Sequence, residues 1–430
     1  TPAPVAGAAP ATPAPVAGPA PVNTPTPAPV AGAAPATPAP VAAPAAGGAD
    51  FPLALTVATS STMMSGDADS VAMSGGLIVI GNSYYSNYRG LVSIYRASDG
   101  VLLKQFSGSG SNDYLGYSVA IDGDTVVAGA WEWPNEGFAK VYRTPDGGDT
   151  WTTAATLTAS DGERHDYFGK AVAVAGDTVF VGASGDDVYG GTNSGSVYVF
   201  RTTDGGATYD EVETLKASSP KAGANFGNAL AADGDTLVIG AYSDNSYKGA
   251  VYVFRKSGST YAQVARLTGS GVASDDEFGT SVDVSGDTIV VGTEYTDAAF
   301  VYRTSDGGAT WAAVTTLEGS DDFGQSVAID GDTIVIGASG GDATYVYRTS
   351  DGGATYAEVV KLTAPEGSDS FGEAVAVSGG AVSVAAYGAT YVYGAAERRL
   401  LRRAAPRAPP LRRRLEDATA ATAAPTAMAG

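Results

Sequence analysis

Between Phe168 and Ser218 apolar and small residues alternate in four short runs, Val172–Val174, Val179–Val181, Val197–Phe200 and Val212–Leu215. Ala175-Gly176-Asp177 separates the first two, and Thr202-Thr203-Asp204-Gly205-Gly206 separates the last two. A period of two residues predicts half-buried β-strands, and turns this short predict antiparallel neighbours. One four-stranded sheet of this size cannot bury both of its faces.

Repetition answers that need. The phrase returns with Leu115-Gly116, Phe168-Gly169, Phe226-Gly227, Phe278-Gly279, Phe323-Gly324 and Phe371-Gly372 as its anchor, at intervals of 53, 58, 52, 45 and 48 residues. A seventh, degenerate copy begins near Ser70, where Val71 to Gly81 replays Val119 to Gly129. Repeats of this length with four strands each predict an all-β fold, a seven-bladed β-propeller with four-stranded antiparallel blades.

The ends of the array predict how the ring closes. Phe51 to Ser60 reads as an isolated strand whose ending echoes Leu157-Thr158-Ala159-Ser160, the last strand of a blade. Blade seven stops after its third strand, Thr390-Tyr391-Val392-Tyr393. Leu53–Ala58 is therefore expected to complete the seventh sheet beside Tyr391–Tyr393. The domains follow: a low-complexity segment at 1–49, the propeller at 50–396, and a tail at 397–430.

Composition narrows the functional classes. The 430 residues carry a net charge of −21, which argues against nucleic acid and against anionic membrane surfaces as partners. There is no cysteine, so stability rests on blade packing. No run of about 18 apolar residues is present, so no membrane-spanning segment is expected. Residues 1–49 are built from Ala, Pro, Thr, Val and Gly with a single Asn, and the 17 residues at 1–17 return unchanged at 26–42. Proline at this density forbids helix and sheet ladders and favours disordered or extended polyproline II chain, a semi-rigid spacer. This segment also resembles the Ala-Pro and Thr-Pro modules of hydroxyproline-rich glycoproteins, which implies O-glycosylation and a cell-surface setting.

The turns carry two resemblances. Thr144 to Trp151, repeated as Thr202–Tyr209, Thr304–Trp311 and Thr349–Tyr356, is similar to the Asp-box turn of sialidases and sortilin-like propellers, where it is structural. In the first hairpin, Asp122-Gly123, Asp233-Gly234 and Asp330-Gly331 predict two-residue turns with both central residues at positive φ. Phe-Gly, Val-Ala, Gly-Asp-Thr, Gly-Ala and Gly-(Ser/Ala)-Val-Tyr-Val-Phe together resemble the FG-GAP repeat of integrin α-chain propellers, over about 70–396. That resemblance implies an extracellular binding module. Integrin-type blades carry Asp-x-Asp-x-Asp-Gly calcium loops in this hairpin; here it is too short, so that calcium role does not transfer.

Candidate chemistry lies in the longer connections, between strands two and three and from blade to blade. Tyr84, Tyr85, Trp131, Trp133, Tyr189, Tyr242 and Tyr247 are the expected ligand-binding aromatics, for sugar rings or a protein anchor. Asp161, Asp166, Asp186 and Asp187 are the candidate metal ligands for calcium, a cation that takes oxygen donors; the other reading of these acids is solubility, with no cofactor. The single histidine, His165, sits in one of these loops, and no catalytic residue is assigned. Six arginines (Arg96, Arg143, Arg201, Arg255, Arg303, Arg348) occupy one repeated place after strand three, which points them around the ring. Residues 397–417 hold eight arginines against three acids, a basic arm expected to be cut at dibasic sites or to dock on an acidic neighbour. The expected function is a non-catalytic, extracellular adhesion or structural interaction module, with protein or glycan partners or self-association in a surface layer or filament. The alternative is a lectin or polysaccharide-active enzyme that uses the loop face.

Overall fold

The computed structural model describes residues 53–58, 68–131, 135–188, 192–365 and 369–394, with Thr56 the only side chain described in the first stretch. The 1–49 segment and the 397–430 tail lie outside the described residues, as do Trp133 and Tyr189.

Seven four-stranded antiparallel sheets are arranged as blades. Blade 1 holds Ser70–Ser74, Leu77–Asn82, Leu91–Arg96 and Leu102–Ser107. Blade 4 holds Ala229–Asp233, Thr236–Ala241, Ala250–Ser257 and Thr260–Leu267. Blade 7 takes three strands from Val375–Ser378, Ala381–Ala386 and Ala389–Tyr393, and its fourth from Leu53–Ala58. Leu53 pairs with Tyr393 and Thr56 with Tyr391. The expected closure is therefore observed. The first strands of blades 7 and 1 pack side by side, as do those of every other consecutive pair.

The second strands differ from the half-buried pattern. All six residues of Leu77–Asn82, Thr125–Ala130, Thr178–Ala183, Thr236–Ala241 and Thr333–Ala338 are buried. The cause is blade stacking, which covers both faces of a central strand. Seven apolar clusters result among the described residues, one at each blade interface. The anchor side chains Leu115, Phe168, Phe226, Phe278, Phe323 and Phe371 are wholly buried in them.

Backbones meet where the anchor glycine of one blade faces the second strand of the blade before it. A Cβ built on Gly240 would lie 2.2 Å from the Gly279 carbonyl oxygen, and one on Gly129 would lie 1.9 Å from that of Gly169. Only glycine permits that approach. The Gly-Ala step of the repeat is thus a blade-to-blade contact.

The first hairpins are framed one residue later than expected. Asp122 pairs with Thr125, so the turn is Gly123-Asp124 and Asp122 is the last strand residue. Gly123 has φ +52, whereas Asp124 is absent from the positive-φ residues, which is the type II′ pattern and not I′. The displaced aspartate gains a use across the ring. Asp122 accepts from the Gly176 N–H at 2.7 Å, Asp233 from Gly286 at 2.6 Å and Asp330 from Gly379 at 2.6 Å, each in the following blade.

The second hairpins are Asp-boxes in four blades. Asp146 accepts from the Thr150 N–H and hydroxyl at 2.8 and 2.7 Å and from the Thr144 hydroxyl at 2.8 Å, while Trp151 is buried beneath the turn. Repeated arginines reach the second hairpin of the following blade, whether or not it is an Asp-box. Arg201 donates to the Ser259 carbonyl at 3.1 Å, Arg303 donates to that of Gly352, and the Arg143 guanidinium lies against Gly206.

Two opposite pH dependences follow. The bonds from Thr150 and Thr144 pull the Asp146 carboxyl down to about 2, and those from Thr310 and Thr304 do the same for Asp306. Folded values below the ordinary 3.8 give stability that is complete above that pH and lost as pH falls towards 2. The Asp146→Asn, Asp306→Asn double variant should show a shallower drop in melting temperature between pH 4 and 2 than wild type; equal slopes would refute this. Asp283, on the first strand of blade 5, is pushed the other way, to about 7, by loss of solvent and by Asp233 and Asp330, despite accepting from the Ile329 N–H at 2.7 Å. Here the folded state holds more protons than the unfolded chain between the two values, so stability falls as pH rises through that window. Asp283→Asn should melt higher than wild type at pH 8, with little difference near pH 4. An unchanged pH 8 melting temperature would sink the idea.

Candidate functional site on the loop face

Both tight turns of a blade lie at one end of its strands, so the longer connections gather on the opposite face. Two of them are built alike. Ser86, Asn87 and Tyr88 in blade 1 have φ of 51, 65 and 60°, and Asn245, Ser246 and Tyr247 in blade 4 have 58, 60 and 59°. Three consecutive left-handed residues are costly for L-amino acids outside glycine, and each turn is closed by bonds from the glycine that follows. Gly90 donates to the Tyr85 carbonyl at 3.1 Å and Gly249 to that of Asp244 at 2.9 Å.

In blade 4 a buried carboxylate supports the turn. Asp244 is fully buried and accepts from Lys221 at 2.6 Å, Arg266 at 2.7 Å and the Tyr252 hydroxyl at 2.8 Å. Burial alone would raise its pKa, but these donors hold it below the ordinary value. Asp244→Ala leaves the buried Tyr252 hydroxyl without its acceptor, while Lys221 and Arg266 keep contact with solvent, and should cost about 1–3 kcal/mol, read as a fall in the denaturant midpoint; an unchanged midpoint would show the triad to be a surface pair only.

An aromatic ladder runs across blades 1 to 3. Tyr84 and Tyr88 come from the left-handed turn of blade 1, Tyr114 from the connection to blade 2, Trp131 from the loop of blade 2, and Tyr167 from the connection to blade 3. Ring centroids step 5.3 Å from Tyr88 to Tyr114, 4.7 Å on to Trp131 and 5.6 Å on to Tyr167. Tyr84 meets Tyr114 edge-on at 6.1 Å, and His165 leans on Tyr167 at 6.4 Å. Tyr84 and Tyr88 are 37 and 42% exposed, so the ladder opens to solvent at its blade 1 end. An open cleft of about 850 Å³ is lined by residues of blade 2 and its flanking connections, among them Glu136, Phe138, Lys140, Glu163 and Arg164.

Of the expected aromatics, the structure brings Tyr84 and Trp131 into the ladder. Tyr85 is half-buried at the start of the same turn. Tyr242 and Tyr247 form a separate pair in blade 4, 6.4 Å apart. Tyr117 lies between the groups: burial first, then Asp69, Tyr84, Tyr242 and Glu294, push its hydroxyl up to about 12. Sequence reading missed Tyr114, Tyr117 and Tyr167. A signal was available, since only blades 2 and 3 carry tyrosine immediately before the anchor, where Asn225, Glu277, Asp322 and Ser370 stand elsewhere. That position has positive φ in all six, 54° at Tyr114 and 57° at Tyr167.

The four candidate metal ligands occupy one neighbourhood, each bonded to a donor of the chain. Asp166 accepts from the Glu163 N–H at 2.6 Å and Asp187 from that of Asn193 at 2.8 Å. Asp161 accepts from the Tyr198 hydroxyl at 2.7 Å, and Asp186 accepts from the Ser196 hydroxyl. Burial, with Asp186, Glu163 and Asp187 nearby, pushes Asp166 up to about 6. Among the described residues no three carboxylate or histidine side chains converge as metal ligands. Asp113 and Asp276 brace the equivalent connections in the same way, through the N–H groups of Gly110 and Ala273. A second acidic area lies in blades 5 and 6, where burial, Glu294 and Asp275 raise Glu277, and Glu294, Glu277 and Asp322 raise Tyr295.

A closed ring with blade-to-blade glycine contacts and one patterned loop face defines a propeller scaffold for interaction. The FG-GAP repeat pattern matches residues 107–141, 151–200, 209–254, 261–311 and 317–357, just over half of the chain. The chain belongs to the FG-GAP repeat family. Comparison with curated proteins found no match. No helix among the described residues is long and apolar enough to cross a membrane.

Proposed function

We propose that this propeller is a non-catalytic adhesion or structural module that works outside the cell, at a surface or in a matrix, and engages partners with its loop face. The observation that carries the reading is the aromatic ladder. Six blades share the anchor, the glycine contact and the buried strands, and those features build the ring. The ladder belongs to blades 1 to 3 alone, so ring construction does not require it. Rigid aromatic rings that open to solvent form the usual centre of a binding surface. The candidate acids serve the loops that carry them, which favours a binding role over general acid–base chemistry.

The stacked rings also suit sugar faces, which keeps the lectin reading as the second. One experiment separates the classes: the full chain on a glycan array, with and without calcium, beside a polysaccharide hydrolysis screen. Released reducing ends would overturn the non-catalytic reading. Glycan binding that is lost in Trp131→Ala would establish the lectin, and calcium dependence of that binding would draw in Asp161, Asp166, Asp186 and Asp187. Silence in both assays, with retention on matrix protein abolished by Trp131→Ala, is the outcome expected of a protein-binding module.

A further inference from the structure

We infer that the aromatic ladder is a receptor for the proline-rich segment, residues 1–49, of a second copy of this chain. The inference rests on the interaction reading above and names the partner. Three observations meet in it.

The first is chemical fit. A polyproline II helix has no internal hydrogen bonds and presents pyrrolidine rings that stack on aromatic faces, with little ordering entropy left to lose on binding. Pro10-Ala11-Thr12-Pro13 and Pro35-Ala36-Thr37-Pro38 each place two prolines one turn apart, about 9 Å. Tyr88 and Trp131 flank Tyr114 at ring steps of 5.3 and 4.7 Å, a comparable reach. Two prolines one turn apart can thus lie across the solvent-exposed side of the ladder, where Tyr84 and Tyr88 open to solvent.

The second is charge. Residues 1–49 contain no Asp, Glu, Lys or Arg. An uncharged segment gains nothing from the acidic area in blades 5 and 6, so the uncharged rings are its natural seat.

The third is where the segment joins the fold. Leu53 pairs with Tyr393 at the hairpin end of blade 7, whereas the ladder is on the opposite face. The hairpin face, where residues 1–49 join the fold, is the face that meets the loop face of a second copy in a head-to-tail stack. Such head-to-tail contact is heterologous and does not close on itself, so it builds an open file of propellers. The duplicated 17 residues give each segment two docking phrases.

The test is sedimentation of the full chain across a concentration series, with Tyr88→Ala and Trp131→Ala variants and with a free 17-residue peptide of sequence 1–17 as competitor. Tyr88 is exposed, so its variant keeps the experiment meaningful if Trp131→Ala folds poorly. Wild type should assemble with rising concentration, excess peptide should dissolve the assemblies, and each variant should weaken self-association about tenfold. Because the contact is uncharged, raising salt should leave it intact, unlike docking by the arginine-rich tail. A chain monomeric at all concentrations, or assembly indifferent to peptide and to both substitutions, would overturn the inference. Variants that lose matrix or glycan binding yet still assemble like wild type would overturn it too, while leaving the proposed function standing.

Discussion

A chain lacking residues 1–60 should melt about 5 °C or more below the full chain, whereas one lacking 1–49 should melt with it. The two differ in the strand Leu53–Ala58, which runs along Ala389–Tyr393 as the outer strand of blade 7. Without it the polar groups of the Ala389–Tyr393 edge lose their partners. Blade 7 shares one apolar cluster with blade 6 and another with blade 1, so a loosened blade 7 weakens both neighbours and opens the ring. A loss of about 4 kcal/mol is the scale of such a break, and for a domain of this size that corresponds to about 5 °C. Calorimetry of both truncations decides the matter. Equal melting temperatures would mean that the ring holds without its closing strand.

Replacing Gly240 with valine should be nearly as damaging, at about 3 kcal/mol or more. The obstacle is a backbone carbonyl, that of Gly279, which cannot rotate away as a side chain could. The side chain would force apart blades 4 and 5, whose interface holds Val238, Val251, Val253, Phe278 and Ile289. Blade 7 supplies the natural control. There Ala385 stands where the other blades have glycine, and it faces blade 1, which has Ala68 in place of the anchor glycine; both are buried in the same cluster. Enlarging Ala385 to serine should therefore cost less than Gly240→Val in the same denaturant titration. A Gly240→Val protein as stable as wild type would show that the blades are not in backbone contact in solution.

Blade number, strand order and closure could be read from the chain because they rest on local or repeated signals. Period-two runs mark strands wherever they occur, and six near-identical anchors leave one architecture that buries every sheet. The unpaired strand at Leu53–Ala58 and the three-stranded remainder at 375–393 imply each other from sequence alone. Tertiary structure decided the rest. Stacking buried both faces of the second strands, which alternation alone presents as half-buried. It set the first turn at Gly123-Asp124 and sent Asp122 across to the next blade, a partner 54 residues away. The ladder lay furthest from sequence reading. Its rings come from four connections, and they meet because left-handed backbone at Tyr88, Tyr114 and Tyr167 aims side chains that the blades then bring within 4.7 to 5.6 Å. Spacing along a chain reports what neighbours in sequence can do; convergence between loops depends on blade radius and on backbone angles that no residue pattern states.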